Sequence, residues 1–318
     1  MTEREVMANC FTVQSAGASL RGEMNGHGTC VIMLHAGVAD RRMWYDTLAD
    51  LGRSGLEHVP AKCTHFADKN MLQHIDPGAL SYRRNGSIST ESALAVAYDR
   101  RGFGETRSPD EPFRHIDDLD CVIEYLGCKR AILIGCSQGG RVAIDYVLAY
   151  PKKAAALVLV ATDVTGAPAP DAYPSEIARL MAELDAAEEQ SDIERVNAIE
   201  AHLWLDGPLS VEGRIGGEVR QLFLDMNGKA LRHAPFTLEQ SCPGAWERVG
   251  SITVPSCVIW GDRDFPHIRQ RSQWLASTIP GARSLIMEGC AHLPNLEQPA
   301  RFNASIEAFI QSISMMPV

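Results

Sequence analysis

The feature that most constrains the fold of this chain is a five-residue turn between a strand-like run and a helix-like run. The turn, residues 135–139, reads Gly-Cys-Ser-Gln-Gly; it follows the apolar run 131–134 and precedes the helical pattern 141–148. A serine at the tip of such a turn has a strained backbone, and glycines two positions either side let strand and helix pass closely. The pattern predicts an elbow that presents the Ser137 hydroxyl above a sheet.

Short apolar runs alternate with helical patterns along the chain, which is typical of a mainly parallel sheet covered by helices on both faces. We predict an α/β fold with an eight-stranded, mostly parallel sheet whose first two strands form an antiparallel hairpin. The predicted strands are 10–15, 18–24, 30–34, 94–98, 131–135, 156–161, 256–260 and 283–287. The predicted core helices are near 43–51, 115–126, 138–150, 267–278 and 299–312.

The alternation stops between residues 161 and 254, where the sequence is rich in helical patterns. Helices are predicted at 175–187, 192–205 and 217–233. We predict a helical cap that interrupts the core domain, and single Met and Leu residues within it fit helix packing better than a pocket wall. The predicted core is 1–162 and 244–318, and the predicted cap is 163–243.

The segment 53–90 departs from this organisation because it has little periodicity. A metal site is conceivable there, but the ligand spacing matches no closed zinc pattern. We favour a long irregular insertion, which we expect at the amino edge of the sheet. The candidate metal ligands are His58, Cys63, His65 and His74.

Composition excludes some classes of function. The formal net charge of -10 and the absence of a basic stripe argue against nucleic-acid binding. No stretch approaches 18 apolar residues and the amino-terminal residues do not resemble a signal peptide, so we expect a cytoplasmic protein without a membrane partner. The nine cysteines include no C-x-x-C pair and are expected to be reduced and mostly buried. The oligomeric state is left open.

A serine hydroxyl needs a base to take its proton, and the base needs a carboxylate to fix its tautomer. The strand 257–261 runs into a turn in which either Asp262 or Asp264 could serve as that carboxylate. The loop 288–294 after the last strand carries His292, the best candidate base because Ser, Asp and His follow in this order. The chain is therefore predicted to be a serine hydrolase.

The oxyanion of an acyl-transfer intermediate needs two hydrogen-bond donors. The backbone N–H of Gln138, at the start of the helix after the elbow, is one candidate. The N–H of Gly37, in the loop after the strand 30–34, is the other. We expect His35 to be a structural hydrogen-bonding residue and Cys136 to be buried packing.

Five motifs together resemble the α/β-hydrolase superfamily, most of all its capped esterase and enol-lactonase-like branch. The resemblance implies Ser137 as nucleophile, Asp264 as the acidic residue and His292 as base. Ala36 stands where the family usually has glycine, and the insertion after Gly52 is outside the usual pattern. The motifs are Leu34-His35-Ala36-Gly37, Tyr98-Asp99-Arg100-Arg101-Gly102-Phe103-Gly104, Gly135-Cys136-Ser137-Gln138-Gly139-Gly140, Gly261-Asp262-Arg263-Asp264, and the run 289–299 around His292.

The expected activity is hydrolysis of a small carboxylic ester or lactone through an acyl-enzyme on Ser137, without metal or organic cofactor. Serine at the elbow disfavours haloalkane dehalogenases and epoxide hydrolases, which use aspartate there. Two alternatives remain open. One is a carbon–carbon bond hydrolase of the same fold, and the other is an inactive ligand-binding homologue.

Overall fold

The computed structural model describes residues 9–53 and 92–314. Eight strands form one sheet, in the spatial order β1-β2-β4-β3-β5-β6-β7-β8, and the predicted α/β fold is confirmed. All eight strands lie within two or three residues of the predicted positions. They are β1 (Asn9–Ser15), β2 (Ala18–Gly26), β3 (Thr29–Leu34), β4 (Ala93–Tyr98), β5 (Ala131–Cys136), β6 (Ala154–Val160), β7 (Ser256–Gly261) and β8 (Arg283–Met287).

The sheet is antiparallel at one edge and parallel elsewhere. β1 and β2 form the predicted hairpin, and β2 also pairs antiparallel with β4. All other pairs are parallel, so the carboxyl ends of β3, β5, β6 and β7 meet at one edge. Strand β6 stops one residue earlier than predicted because Ala161 has a φ of 46° and cannot continue an extended strand.

Helices cover both faces of the sheet. The predicted helix 43–51 is a 3-10 turn (Arg41–Trp44) that leads into α1, and the short helix α8 was not predicted from sequence. Apolar side chains of α2, α3 and α7 cover one face, while those of α1 and α9 cover the other. The core helices are α1 (Tyr45–Arg53), α2 (His115–Tyr125), α3 (Gln138–Ala149), α7 (Pro266–Thr278), α8 (Pro294–Glu297) and α9 (Pro299–Ser314).

Three helices lie between β6 and β7, in the segment predicted as a cap: α4 (Ser175–Glu189), α5 (Ile193–Glu200) and α6 (Gly217–Leu231). The helix predicted over 192–205 is present over 193–206, but it changes type: α5 ends at Glu200 and continues as a π-helical turn (Ala201–Asp206). Leucines of α4 pack within this unit and against Phe265 at the start of α7. The division into a core and a cap stays a prediction.

The insertion and its candidate metal ligands lie outside the described residues. The described residues on either side, Arg53 and Ser92, lie at the amino edge, where Ser92 O accepts a hydrogen bond from Thr29 N–H. Among the residues that the structure describes, no group of three or more His, Cys, Asp or Glu is placed to hold a metal ion. No helix in that part of the chain is long and apolar enough to cross a membrane.

Of the eight cysteines in the described ranges, the seven other than Cys10 are free thiols. Four are buried, three are half-buried and Cys10 is exposed. The expectation of reduced cysteines stays a prediction, and burial of these side chains is less general than expected.

Candidate active site

The elbow predicted around Ser137 is present between β5 and α3. Ser137 has a φ of 52° and a ψ of -117°, a conformation that non-glycine residues rarely adopt. Its N–H donates to Val160 O at 2.9 Å. A Cβ on Gly135 would lie 2.5 Å from Gly139 O, and one on Gly139 would overlap the main chain at Leu34. The two glycines are therefore required for the tight crossing that holds the serine in place.

The candidate base and acid meet at the carboxyl edge of the sheet. Asp264 Oδ2 lies 2.8 Å from His292 Nδ1, and both residues are almost completely buried. The other carboxylate oxygen, Asp264 Oδ1, accepts the N–H of Phe265 at 2.7 Å. A Cβ on Gly261, the last residue of β7, would overlap the carbonyl oxygens of Cys290 and Ala291. This glycine lets the histidine loop lie directly over the end of the strand.

The two aspartates of the turn make different contacts. Asp262 is exposed and accepts the Gly289 N–H at 2.7 Å. It supports the main chain of the histidine loop, whereas Asp264 contacts the imidazole itself. Sequence alone could not separate them, because both follow the same strand by a few residues.

Ser137 lies close to the Asp264–His292 pair, because the preceding residue, Cys136, contacts His292. The Cys136 thiol is buried, as predicted, and its Sγ is 3.7 Å from His292 O. Burial raises the pKa of this thiol well above its ordinary value. No hydrogen bond joins the Ser137 hydroxyl to the His292 ring in the described structure, and such bonds often form only in the substrate complex.

The two candidate oxyanion donors are also neighbours. A Cβ on Gly37 would lie 2.5 Å from the Gln138 side chain amide. Gln138 is the first residue of α3, so its backbone N–H has no partner within the helix. The structure thus brings a residue of the loop after β3 next to the first residue of α3, at the end of the sheet that carries Ser137.

His35 has the structural role that the sequence suggested. Its Nε2 accepts the backbone N–H of Arg100 at 3.0 Å, so the proton is on Nδ1, which donates to Ala36 O at 2.7 Å. Burial lowers the pKa of His35 well below its ordinary value, and the positive charge of Arg100 lowers it further. The ring is therefore neutral and orders the loop that carries Gly37.

Sequence reasoning missed Trp204, a residue of the π-helical turn. Its ring lies 4.6 Å from the His292 ring between centroids, and its carbonyl oxygen accepts the His292 N–H at 3.3 Å. Phe265 also packs against the indole, with ring centroids 4.6 Å apart. An aromatic residue in the predicted helix was visible in the sequence, but its position depends on how the helical unit packs on the core.

A cavity of about 500 Å³ lies between the segment 168–174 and the first turns of α7. Tyr173, His267 and Trp274 are among its walls. The rings of Tyr173 and Phe265 are 6.1 Å apart, so aromatic contacts connect this cavity to the base through Trp204. The residues proposed to react do not line it.

Comparison with known proteins identifies the class. Residues 31–305 match the alpha/beta hydrolase family, and the chain belongs to that family. A protein of Bacillus subtilis (strain 168) that carries the name of a 2-succinyl-6-hydroxy-2,4-cyclohexadiene-1-carboxylate synthase is 28% identical over 236 residues, which are 69% of this chain and 81% of the relative.

Two further comparisons cover most of the chain. The 2-hydroxy-6-oxo-6-phenylhexa-2,4-dienoate hydrolase of Burkholderia cepacia is 22% identical over 281 residues, 87% of this chain and 86% of that protein. The solved structure of an esterase from Exiguobacterium antarcticum superposes with a TM-score of 0.68 at 17% identity, covering 94% of this chain and 98% of that one. The protein is an α/β hydrolase. It is similar in sequence to a protein named as a dienoate hydrolase and in fold to an esterase.

Proposed function

We propose that this protein is a serine hydrolase that cleaves a small carboxylic ester or lactone through an acyl-enzyme on Ser137. The observation that carries the proposal is the 2.8 Å contact between Asp264 and His292 beside the strained Ser137 elbow. Asp264 fixes the imidazole with its free nitrogen, Nε2, available to take the serine proton.

The proposed reaction needs no group from outside the chain other than substrate and water. Ser137 attacks the carbonyl carbon and passes its proton to His292. His292 then protonates the leaving alcohol, and the N–H groups of Gly37 and Gln138 stabilise the oxyanion. Water, deprotonated by the same imidazole, releases the acid and restores the serine. We therefore propose a small-molecule substrate and no metal or organic cofactor; a net charge of -10 gives no support to a nucleic-acid partner.

Carbon–carbon bond hydrolysis is the second candidate. It is favoured by one observation, the similarity over 87% of this chain to a protein named as a dienoate hydrolase. Both reactions use a base, a nucleophile or activated water, and an oxyanion site, so the geometry above is compatible with each. The substrate profile separates them.

The first experiment is intact-mass spectrometry after incubation with a fluorophosphonate, which phosphonylates only an activated serine. We expect one adduct on wild type and none on Ser137→Ala. Short acyl esters, lactones and a vinylogous 1,5-diketone acid are then compared as substrates. Turnover of the diketone alone would replace the ester proposal with carbon–carbon cleavage, and a well-folded wild type with no adduct would favour the inactive ligand-binding homologue.

A further inference from the structure

We propose that Arg214 is a positioning residue for His292: it joins the cap turn Ala201–Asp206 to the histidine loop, so that the base is held in place only while this turn is seated. The inference rests on the proposed function for its catalytic consequence. Its structural part, that Arg214 holds the His292 loop, is tested separately.

The guanidinium of Arg214 reaches both sides of this junction. On the cap side, its Nε donates to Asp206 O at 2.6 Å and its Nη2 to Leu205 O at 2.9 Å. On the core side, its Nη1 donates to Gly289 O at 2.8 Å. One planar group thus binds the last residues of the π-helical turn and a residue three positions before His292, and its rigid fork fixes their relative positions.

A second connection runs through Glu297 of α8. Arg214 Nη2 lies 2.5 Å from Glu297 Oε2, and the side chain of Glu297 is only 1% exposed. The other oxygen, Oε1, accepts the N–H of Ala291 at 2.8 Å. The carboxylate therefore holds the residue immediately before His292, and Arg214 neutralises it in a buried position, where an unpaired charge would be costly.

The turn that Arg214 fastens contacts the base directly. Trp204 packs its ring on His292 and accepts the His292 N–H through its carbonyl oxygen. Gly207 has a φ of 94°, and a Cβ there would lie 2.5 Å from Arg263 O and 3.2 Å from Ala291 Cβ. The end of the turn is therefore packed closely against both the aspartate turn, at Arg263, and the histidine loop, at Ala291.

The test compares Arg214→Met with Arg220→Met. Arg220 is the matched control, because it also ion-pairs in the same unit, with Asp206 Oδ2 at 2.8 Å, has a similarly buried side chain (19% exposed against 18%) and makes no hydrogen bond to the histidine loop in the described structure. The measurements are the rate of fluorophosphonate labelling, kcat and KM on an ester, and the downfield ¹H NMR signal of the proton on His292 Nδ1. The signal is assigned by its loss in His292→Gln.

We expect Arg214→Met to slow labelling and lower kcat by about 10- to 100-fold, because small displacements of a base are costly, with KM within about twofold. The Nδ1 proton signal should broaden or vanish, since a loosened loop exchanges with water. Arg214→Lys, which can keep one or two of the contacts, should recover part of the activity and part of the Nδ1 proton signal. Arg220→Met should label within about threefold of wild type and keep the NMR signal.

Equal losses in Arg214→Met and Arg220→Met, or an unchanged NMR signal in Arg214→Met, would overturn the proposal. Should Arg214→Met not fold, Arg214→Lys and Glu297→Gln decide it by the same comparison. A wild type that is never labelled defeats the proposed hydrolase function instead, and the NMR signal alone then decides whether Arg214 holds the His292 loop.

Discussion

Arg100 donates its backbone N–H to His35 Nε2 at 3.0 Å, and this contact fixes the tautomer that lets His35 hold the carbonyl oxygen of Ala36. The same peptide unit carries the N–H of Gly37, and in a planar trans peptide the C=O and N–H point in opposite directions. Fixing the carbonyl therefore fixes the direction of the candidate oxyanion donor. Arg100 also holds this loop with its side chain, whose Nη2 donates to His35 O at 3.2 Å.

Two substitutions of His35 separate its contacts. His35→Asn can keep a donor near Ala36 O, whereas His35→Gln can keep an acceptor for the Arg100 N–H. We expect the Gln variant to lose more kcat, up to about 10²-fold, with little change in KM, because a lost oxyanion donor acts on the transition state. Steady-state kinetics and the affinity for a boronic acid inhibitor measure this. Equal kcat in wild type and both variants would exclude a role for His35 in ordering the loop.

The two aspartates of the turn should differ sharply. Asp264→Asn keeps the shape of the side chain but cannot hold the imidazole in the same tautomer, so kcat should fall by about 10³- to 10⁴-fold. Asp262→Asn, which keeps an oxygen for the Gly289 N–H, should retain most of the activity. Both are compared by kcat/KM and by circular dichroism. A larger loss in Asp262→Asn would assign the acid to the other residue.

Because the backbone at Ser137 is strained, we expect the inactive variant Ser137→Gly to be more stable than the inactive variant Ser137→Ala. At a φ of 52° a glycine is free of the Cβ penalty, whereas an alanine is not. The free energy of unfolding of Ser137→Gly should therefore be about 1 kcal/mol higher than that of Ser137→Ala. Neither variant should turn over substrate. Urea denaturation of the two inactive variants measures the difference. Identical midpoints would show that the elbow stores no strain at this residue.

Stability in acid should depend on His267, which feels the charges of Asp264, His292, Asp163 and Arg271. Burial, followed by the charge of Arg271, lowers the pKa of His267 from 6.5 to about 4. The unfolded chain therefore takes up this proton at a higher pH than the folded protein, so the stabilisation present above pH 6.5 is lost as the pH falls towards 4.

Replacing His267 removes the proton that the unfolded chain binds at a higher pH than the folded protein does. His267→Gln should show a shallower loss of unfolding free energy between pH 6.5 and 4 than wild type. Urea denaturation at several pH values provides the comparison, with the slope rather than the absolute stability as the readout. Parallel slopes for the two proteins would contradict the assignment.

The features of this protein that depend on residues close together in the chain could be predicted from its sequence. The glycines around Ser137 specify a sharp turn wherever the strand and helix lie, and the alternation of apolar runs predicted all eight strands to within a few residues. The acidic turn after β7 and the loop with His292 were placed at one edge because parallel strands end together.

Which groups meet at that edge could not be predicted, because it depends on how distant parts of the chain pack together. Asp264 and His292 are 28 residues apart, and Arg214 and Glu297 are 83 apart. Their contacts depend on the packing of separate elements, on the close approach permitted by Gly261 and on the π-helical turn that brings Trp204 to the base. A local pattern carries no information on these distances, because they follow from burial of surfaces that belong to different parts of the chain.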